Sequence, residues 1–207
     1  TKLPIILSCG MSDIGEVYKA LTAVGFYNNY PVALLLCTSQ YPTPPSDVNI
    51  NKLTTLKNTF PGIILGFSDH TEGSLAASLA VSKGARIFEK HFTLDNNLPG
   101  PDHWFSANPK TLKDWVSSIH KAFEMLGSED VIPTQKEMSM RIIARRSVVA
   151  IKNIKKNEKF SNKNIGMRRP GGGLPATTIK NILRGKSTRQ ITKGDLIRIG
   201  DIDANKN

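Results

Sequence analysis

Short, almost wholly apolar runs alternate along the first two thirds of this chain with stretches in which apolar residues recur every three or four positions. Pro4–Cys9 (PIILSC) precedes Ser12–Tyr27, where Ile14, Val17, Leu21 and Val24 share a helical face and Asp13 and Glu16 stand at capping-box spacing. Val32–Cys37 (VALLLC) leads through TSQYPTPPSDVN to a helix around Ile50–Phe60. Gly62–Leu65 leads to the small-residue helix Gly73–Lys83, and Ala85–Glu89 leads through a long loop to a helix over Lys110–Leu126. Strands that are apolar throughout are buried on both faces, as in parallel α/β sheets. The pattern predicts four βα units in a row. A closed eightfold barrel needs about 250 residues, so the chain holds either half a barrel or a small open sheet. An open sheet usually carries a phosphate-cradling Gly-rich turn after its first strand, and SCGMSD matches one poorly. Half a barrel fits better.

Residues 128–145 break the pattern and read as a linker or a bridging helix. Beyond them SVVAIKNI, KKNEKFS, NIGMRRPGGG and ITKGDLI read as short strands and turns, a loop-rich module of roughly 60 residues with a marginal core of its own. The expected organisation is therefore a half-barrel over 1–127, a connection over 128–145 and a small β-rich domain over 146–207.

Charge follows the same division. Of the net +11, residues 141–207 carry 17 Lys/Arg against 4 Asp/Glu, while residues 1–140 are close to neutral. A basic terminal module could attract nucleic acid, an acidic surface, or a phosphorylated or carboxylated small molecule. The basic stretch lacks interleaved aromatics, so it offers no platform for stacking bases, and no nucleic-acid partner is expected. No run of about 18 apolar residues exists, which argues against a spanning helix. TKLPIILSCG lacks the charged region and cleavage site of a signal peptide. Cys9 and Cys37 lack CxxC spacing, and reduced thiols in a cytoplasmic protein are the expected state. The chain also lacks an initiating Met and opens directly into a strand, as a truncated sequence would.

His70 and His91 each lie just past an apolar run, in IILGFSDHT and ARIFEKHFT. Consecutive strands of a βα repeat can deliver one such side chain each to the same rim, and two imidazoles there can converge on one divalent cation. The alternative is two satisfied histidines at loop boundaries. Glu89, two residues before His91, shares its face of the strand and can point into the same mouth; the alternative is an ion pair with Arg86 or with Lys90, which faces away. Pro-Gly-Pro stiffens the backbone before Asp102, either to position that carboxylate or simply to turn at the surface. Tyr41, in the Pro-rich loop after the second strand, either packs locally or lines a sugar pocket. Arg168 and Arg169 precede Pro170 and three glycines, which suits a guanidinium clamp for carboxylate or phosphate as well as a solvated charge pair.

LLLCTSQYPTPPSDVNI, IILGFSDHT, FEKHFTLDNNLPGPDH, RRSVVAIKNIKKNEKFS and RRPGGG, in that order, resemble the bacterial sialic acid synthases and their legionaminic and pseudaminic acid relatives along nearly the whole chain. The resemblance implies an α/β fold: a partial TIM barrel whose four βα units match the family's fifth to eighth, followed by an antifreeze-like SAF domain. It implies a cytoplasmic transferase that condenses phosphoenolpyruvate with an N-acylated mannosamine-type sugar. The products would be a nine-carbon 2-keto acid and phosphate, released by C–O cleavage. His70 and His91 match the ligands of a divalent metal, Mn²⁺ or Mg²⁺. Ser68 matches a contact to the phosphate of phosphoenolpyruvate, and Glu89 a residue beside its reacting end. Tyr41 and Asp102 match contacts to the aminosugar, and Arg169 a contact to its acyl group. Ser39 stands where N-acetylneuraminate-forming enzymes often carry Asn, and CTS is closer to the legionaminic branch. The family's domain-swapped homodimer is the implied assembly, with no membrane partner.

The resemblance also implies that the first half of the barrel, with its phosphate-binding lysines, has no counterpart in these residues. The chain alone is therefore expected to be inactive, with exposed strand edges that favour aggregation. A deoxy-octulosonate-type synthase would lack the SAF module. A non-catalytic carbohydrate- or ice-binding SAF module would not need the half-barrel with its two histidines.

Overall fold

The computed structural model describes residues 2–203. The chain divides between Glu129 and Asp130 into two compact units.

The first unit is built on four parallel strands, β1 (Ile5–Ser8), β2 (Val32–Cys37), β3 (Ile64–Asp69) and β4 (Ile87–Lys90), hydrogen-bonded in the order β1-β2-β3-β4. A strand order that never reverses belongs to a barrel rather than a doubly wound open sheet, whose order switches direction at its binding crevice. Helices α1 (Ile14–Ala23), α2 (Pro45–Val48), α3 (Lys52–Thr59), α4 (Leu75–Ser82) and α5 (Pro109–Leu126) follow the strands. The fold is half of a TIM-like barrel, and the open-sheet alternative falls with the strand order.

Register divides the strand residues between two faces. Leu34 pairs with Leu65, and Leu36 with Phe67, which pairs in turn with Phe88. These side chains point outward and form the core with Leu21 of α1, Leu53 and Leu56 of α3, and Ala76 and Ala80 of α4. The alternate rows, Ile6–Ala33–Ile64 and Leu35–Gly66–Ile87, line the inner face. Ile6 (61% exposed) and Ile64 (52%) therefore stand open. Gly66 is required where it lies. A Cβ there would sit 2.6 Å from the Ile87 carbonyl oxygen and 2.8 Å from Leu35 Cγ.

Local signals set the helix starts. Asp13 accepts from the Glu16 amide while the Glu16 carboxylate accepts from the Asp13 amide, so α1 begins at Ile14. Asn108 caps α5 and Pro109 occupies its first position. The expected helix to Tyr27 ends earlier, at Ala23, because Gly25 adopts φ +83° and starts a 3₁₀ turn over Phe26–Asn28. None of the described helices is long and apolar enough to cross a membrane.

The second unit begins with α6 (Gln135–Ala144), capped by Thr134, within the stretch that broke the sequence pattern. Antiparallel pairs β5 (Ser147–Ala150) with β6 (Ile165–Arg168) and β7 (Lys186–Ser187) with β8 (Ile202–Asp203) form small SAF-like sheets. Between them lies α7 (Ile179–Ile182), a four-residue helix that the strand-and-turn pattern did not foretell. Val148, Ile154, Phe160, Ile165, Ile182, Ile191 and Ile197 make the core.

Candidate functional site

The inner rows continue past the ends of the strands. Cys37 pairs with Ser68 and Ser68 with Glu89, so these three side chains form one inward layer. Two residues further along their strands come His70 and His91, whose ring centroids are 5.2 Å apart. The two histidines and the layer beneath them thus come together at the carboxyl ends of β3 and β4, the face where TIM-barrel enzymes build their sites.

His70 is buried, and its orientation is set by the backbone. Its Nδ1–H donates to the Thr38 carbonyl oxygen at 2.8 Å, because a carbonyl can only accept. In the neutral ring that fixes the tautomer and leaves Nε2 bare, with Ser68 Oγ at 3.4 Å. Burial pushes the imidazole towards its neutral form, but the Cys37 thiol 4.0 Å from Nδ1, the Thr38 carbonyl and the Glu89 charge outweigh it and raise its pKa. The thiol responds in the opposite sense. Burial raises the Cys37 pKa, while hydrogen bonding with His70, Ser68 and Ser39 brings it below the ordinary cysteine value.

His91 is half-buried, and its Nδ1 lies 3.8 Å from Asp102 Oδ2. Asp102 is anchored through its backbone. Ser106 Oγ donates to the Asp102 carbonyl at 2.5 Å, Asn96 Nδ2 holds the carbonyls of His103 and Ser106, and His103 Nδ1 meets Thr93 Oγ1 at 2.7 Å. This loop is stiff well beyond its Pro-Gly-Pro segment.

Tyr41 lies over the histidines, 4.3 Å from the His70 ring and 5.4 Å from the His91 ring by centroid. Phe105 completes the wall, 5.3 Å from Tyr41 and 5.1 Å from His91. Burial first, then the negative charges of Cys37, Asp102 and Glu89, raise the Tyr41 pKa. A cavity of about 680 Å³ opens on the β1–β2 side of these residues and is lined by Cys9, Cys37, Thr38, Ser39, Gln40 and Lys52. It shares the Cys37–Ser39 segment with the histidine site but does not lie between the two rings.

Among the described residues no group of three or more His, Cys, Asp or Glu side chains is arranged to hold a metal ion. The protein's share of any ion here is two imidazoles. That donor set fits a borderline divalent cation whose other positions are filled by water or substrate, and His70 meets the requirement of an oriented ring with its second nitrogen bare.

Arg169 lies on the second unit, exposed just after β6. Two of the three glycines behind it are tethered. Gly171 N–H donates to the Ile142 carbonyl at 2.6 Å, and Gly173 N–H to Ser147 Oγ at 3.1 Å. A Cβ at Gly171 would lie 2.9 Å from that same carbonyl oxygen.

Sequence reasoning missed Cys37 and Phe105 as neighbours of the site, and Trp115, whose indole N–H donates to Asp69 Oδ2 behind it. Cys37 had a signal, since it stands in phase with Ser39 on an otherwise apolar strand. Phe105 and Trp115 had none, because their placement depends on how a loop and a helix fold back.

Comparison with known proteins agrees with this architecture. The model of the NeuB family matches residues 1–131, and that of the SAF domain matches residues 145–203. The chain is 45% identical over 202 residues to an uncharacterised protein of Methanocaldococcus jannaschii, covering 98% of this chain and 60% of that protein. It is 38% identical over 207 residues to the N,N'-diacetyllegionaminic acid synthase of Legionella pneumophila, covering 98% of this chain and 58% of that enzyme. The crystal structure of the spore coat polysaccharide biosynthesis protein SpsE of Bacillus subtilis superposes with a TM-score of 0.57 at 32% identity, covering 99% of this chain and 62% of the other. This chain thus spans about 60% of the length of these relatives. With a half-barrel carrying paired histidines and a SAF module in the matching order, the chain belongs to the NeuB family.

Proposed function

We propose that this chain is the carboxyl-terminal part of a nonulosonic acid synthase, its four βα units corresponding to the fifth to eighth of a TIM barrel. In the proposed reaction C3 of phosphoenolpyruvate attacks the open-chain aldehyde of an N-acylated mannosamine-type sugar. Water adds at C2 and phosphate leaves with its bridging oxygen, giving a nine-carbon 2-keto acid. The observation that carries this reading is the inward row Ser68–Glu89 directly beneath two histidines whose rings lie 5.2 Å apart.

His70 and His91 would hold a divalent cation, and imidazole donors favour Mn²⁺ over Mg²⁺, which takes oxygen ligands. Such an ion, when bound, acts as a Lewis acid on a carbonyl oxygen. The rest of the work falls to the chain. Ser68 is proposed to donate to the phosphate of phosphoenolpyruvate, and Glu89 to face its reacting end. Tyr41 and Asp102 are proposed to bind the sugar, with Arg169 clamping its acyl group. Ser39, small where an amide would read an N-acetylmannosamine, supports a 2,4-diacetamido-6-deoxy acceptor, as does the name of the Legionella relative.

The test is phosphate release from phosphoenolpyruvate with each acceptor in the presence of Mn²⁺. The chain is assayed alone and extended at its amino end by the half-barrel of a NeuB-family synthase. The expected outcome is release by the extended protein, faster with the diacetamido sugar, and none by the chain alone. Release by the chain alone, or none from a folded extended protein with any acceptor, would overturn the proposal.

A further inference from the structure

On the outer face of the same strand ends lies a buried polar cluster that the reaction does not use. Asp69 follows Ser68 and Lys90 follows Glu89, so both point away from the mouth while their neighbours point into it. The Asp69 side chain is 0% exposed and that of Lys90 9%. Every acceptor position on the carboxylate is filled. Oδ1 accepts from Thr71 N–H at 2.9 Å and from the Thr71 hydroxyl at 2.7 Å. Oδ2 accepts from Trp115 Nε1–H of α5 at 2.7 Å and pairs with Lys90 Nζ at 3.3 Å. Lys90 Nζ in turn donates to the Thr71 carbonyl at 2.7 Å and lies 5.7 Å from the Trp115 ring centroid.

We propose that Asp69, Lys90 and Trp115 are positioning residues that fix the two histidines relative to each other. His70 sits between Asp69 and Thr71, both members of the cluster, and His91 directly follows Lys90. The Lys90–Thr71 bond therefore ties the residue after one histidine to the residue before the other. The Trp115 bond ties the pair to α5. Buried ion pairs contribute little net stability compared with apolar packing, because desolvation cancels most of their attraction. What a fully satisfied network supplies is a single geometry. Here that geometry is the spacing of two rings at strand ends, where the strand hydrogen bonds stop. The inference rests on reading His70 and His91 as the working pair of the site.

The test uses the 207-residue chain at one fixed pH, high enough for the His70 ring to be neutral, and reads the imidazole nitrogens by long-range ¹H–¹⁵N NMR. The parent should show His70 as the single Nδ1–H tautomer. Trp115→Phe, which removes the donor together with part of the ring, and Asp69→Asn, which keeps the shape and removes the charge, should each average the two His70 nitrogens towards a mixed tautomer. Leu56→Val, which loosens the core without touching the cluster, should leave them as in the parent. Mn²⁺ titration followed by paramagnetic broadening should show about a tenfold weaker apparent Kd in both cluster variants, at the lower end of what loss of ligand support costs. Unchanged His70 nitrogens in the two cluster variants, or equal averaging in Leu56→Val, would overturn the proposal. If the parent binds no Mn²⁺ yet the cluster variants alone shift the His70 nitrogens, positioning stands and the metal reading falls.

Discussion

Gly66→Ala places the sharpest demand on the half-barrel. The new methyl carbon would stand 2.6 Å from the Ile87 carbonyl oxygen and 2.8 Å from Leu35 Cγ, where ordinary contact begins at 3.4 Å. Leu35 can rotate. The carbonyl cannot, because Ile87 is paired with Gly66 across the β3–β4 ladder. The strands must part by about 0.8 Å or the ladder must kink, and overpacking of this kind costs about 1–3 kcal/mol. With a urea m-value of about 2 kcal/mol per molar, a cost of about 2 kcal/mol lowers the midpoint by about 1 M. Tryptophan fluorescence isolates the affected unit, since both tryptophans, Trp104 and Trp115, precede residue 130. Gly200→Ala, whose methyl meets nothing within 4 Å, should leave the midpoint where it was. A Gly66→Ala protein with the parent's midpoint would refute the claim that position 66 on this inner row is closed to any side chain.

Two further substitutions probe each unit separately. Asp13→Ala removes the side-chain acceptor of the α1 capping box, leaving the Glu16 amide without its partner, and should cost about 1 kcal/mol, read in the same urea melts, whereas Asp13→Asn should recover most of it. In the second unit burial opposes ionisation of Asp201, but Arg189 Nε at 2.6 Å and the Arg198 amide at 2.9 Å outweigh it and hold the carboxyl below its ordinary pKa. A depressed folded-state pKa lends stability that is complete above the unfolded value, near 4, and fades as pH falls through the folded one. Asp201→Asn should therefore speed hydrogen exchange at the Ile154 and Ile191 amides, which bond each other's carbonyls, at neutral pH. The difference from the parent should shrink below about pH 4, and a difference of constant size down to pH 2 would contradict the sign.

What could be read in the sequence was what periodicity encodes. The run FEKH places Glu89 and His91 on one face and Lys90 on the other whatever the strand packs against, and the structure has them so. The capping residue Asp13 acts within four residues of itself, and it marked the start of α1. The end of α1 was not readable, because it depends on Gly25 taking a left-handed conformation that no spacing demands. The contacts that complete the site were out of reach for a different reason. Trp115 lies 46 residues from the carboxylate it binds, and Cys37 meets His70 only because two strands share a register. RRPGGG carries three consecutive glycines. Two of them are there because a carbonyl and a side chain crowd the places their Cβ atoms would take.

The bond from His70 Nδ1 to the Thr38 carbonyl has a consequence for how this site can vary. The partner is main chain, so no exchange of the side chain at position 38 can remove it. The neutral imidazole keeps its bare Nε2 as long as the backbone after β2 follows the same path and the end of β3 holds the ring against it. The side chains at positions 38 and 39 can therefore change while the ring keeps its orientation. On the proposed reading, substrate preference would rest on side chains and ring orientation on the course of the chain, so the two could change separately.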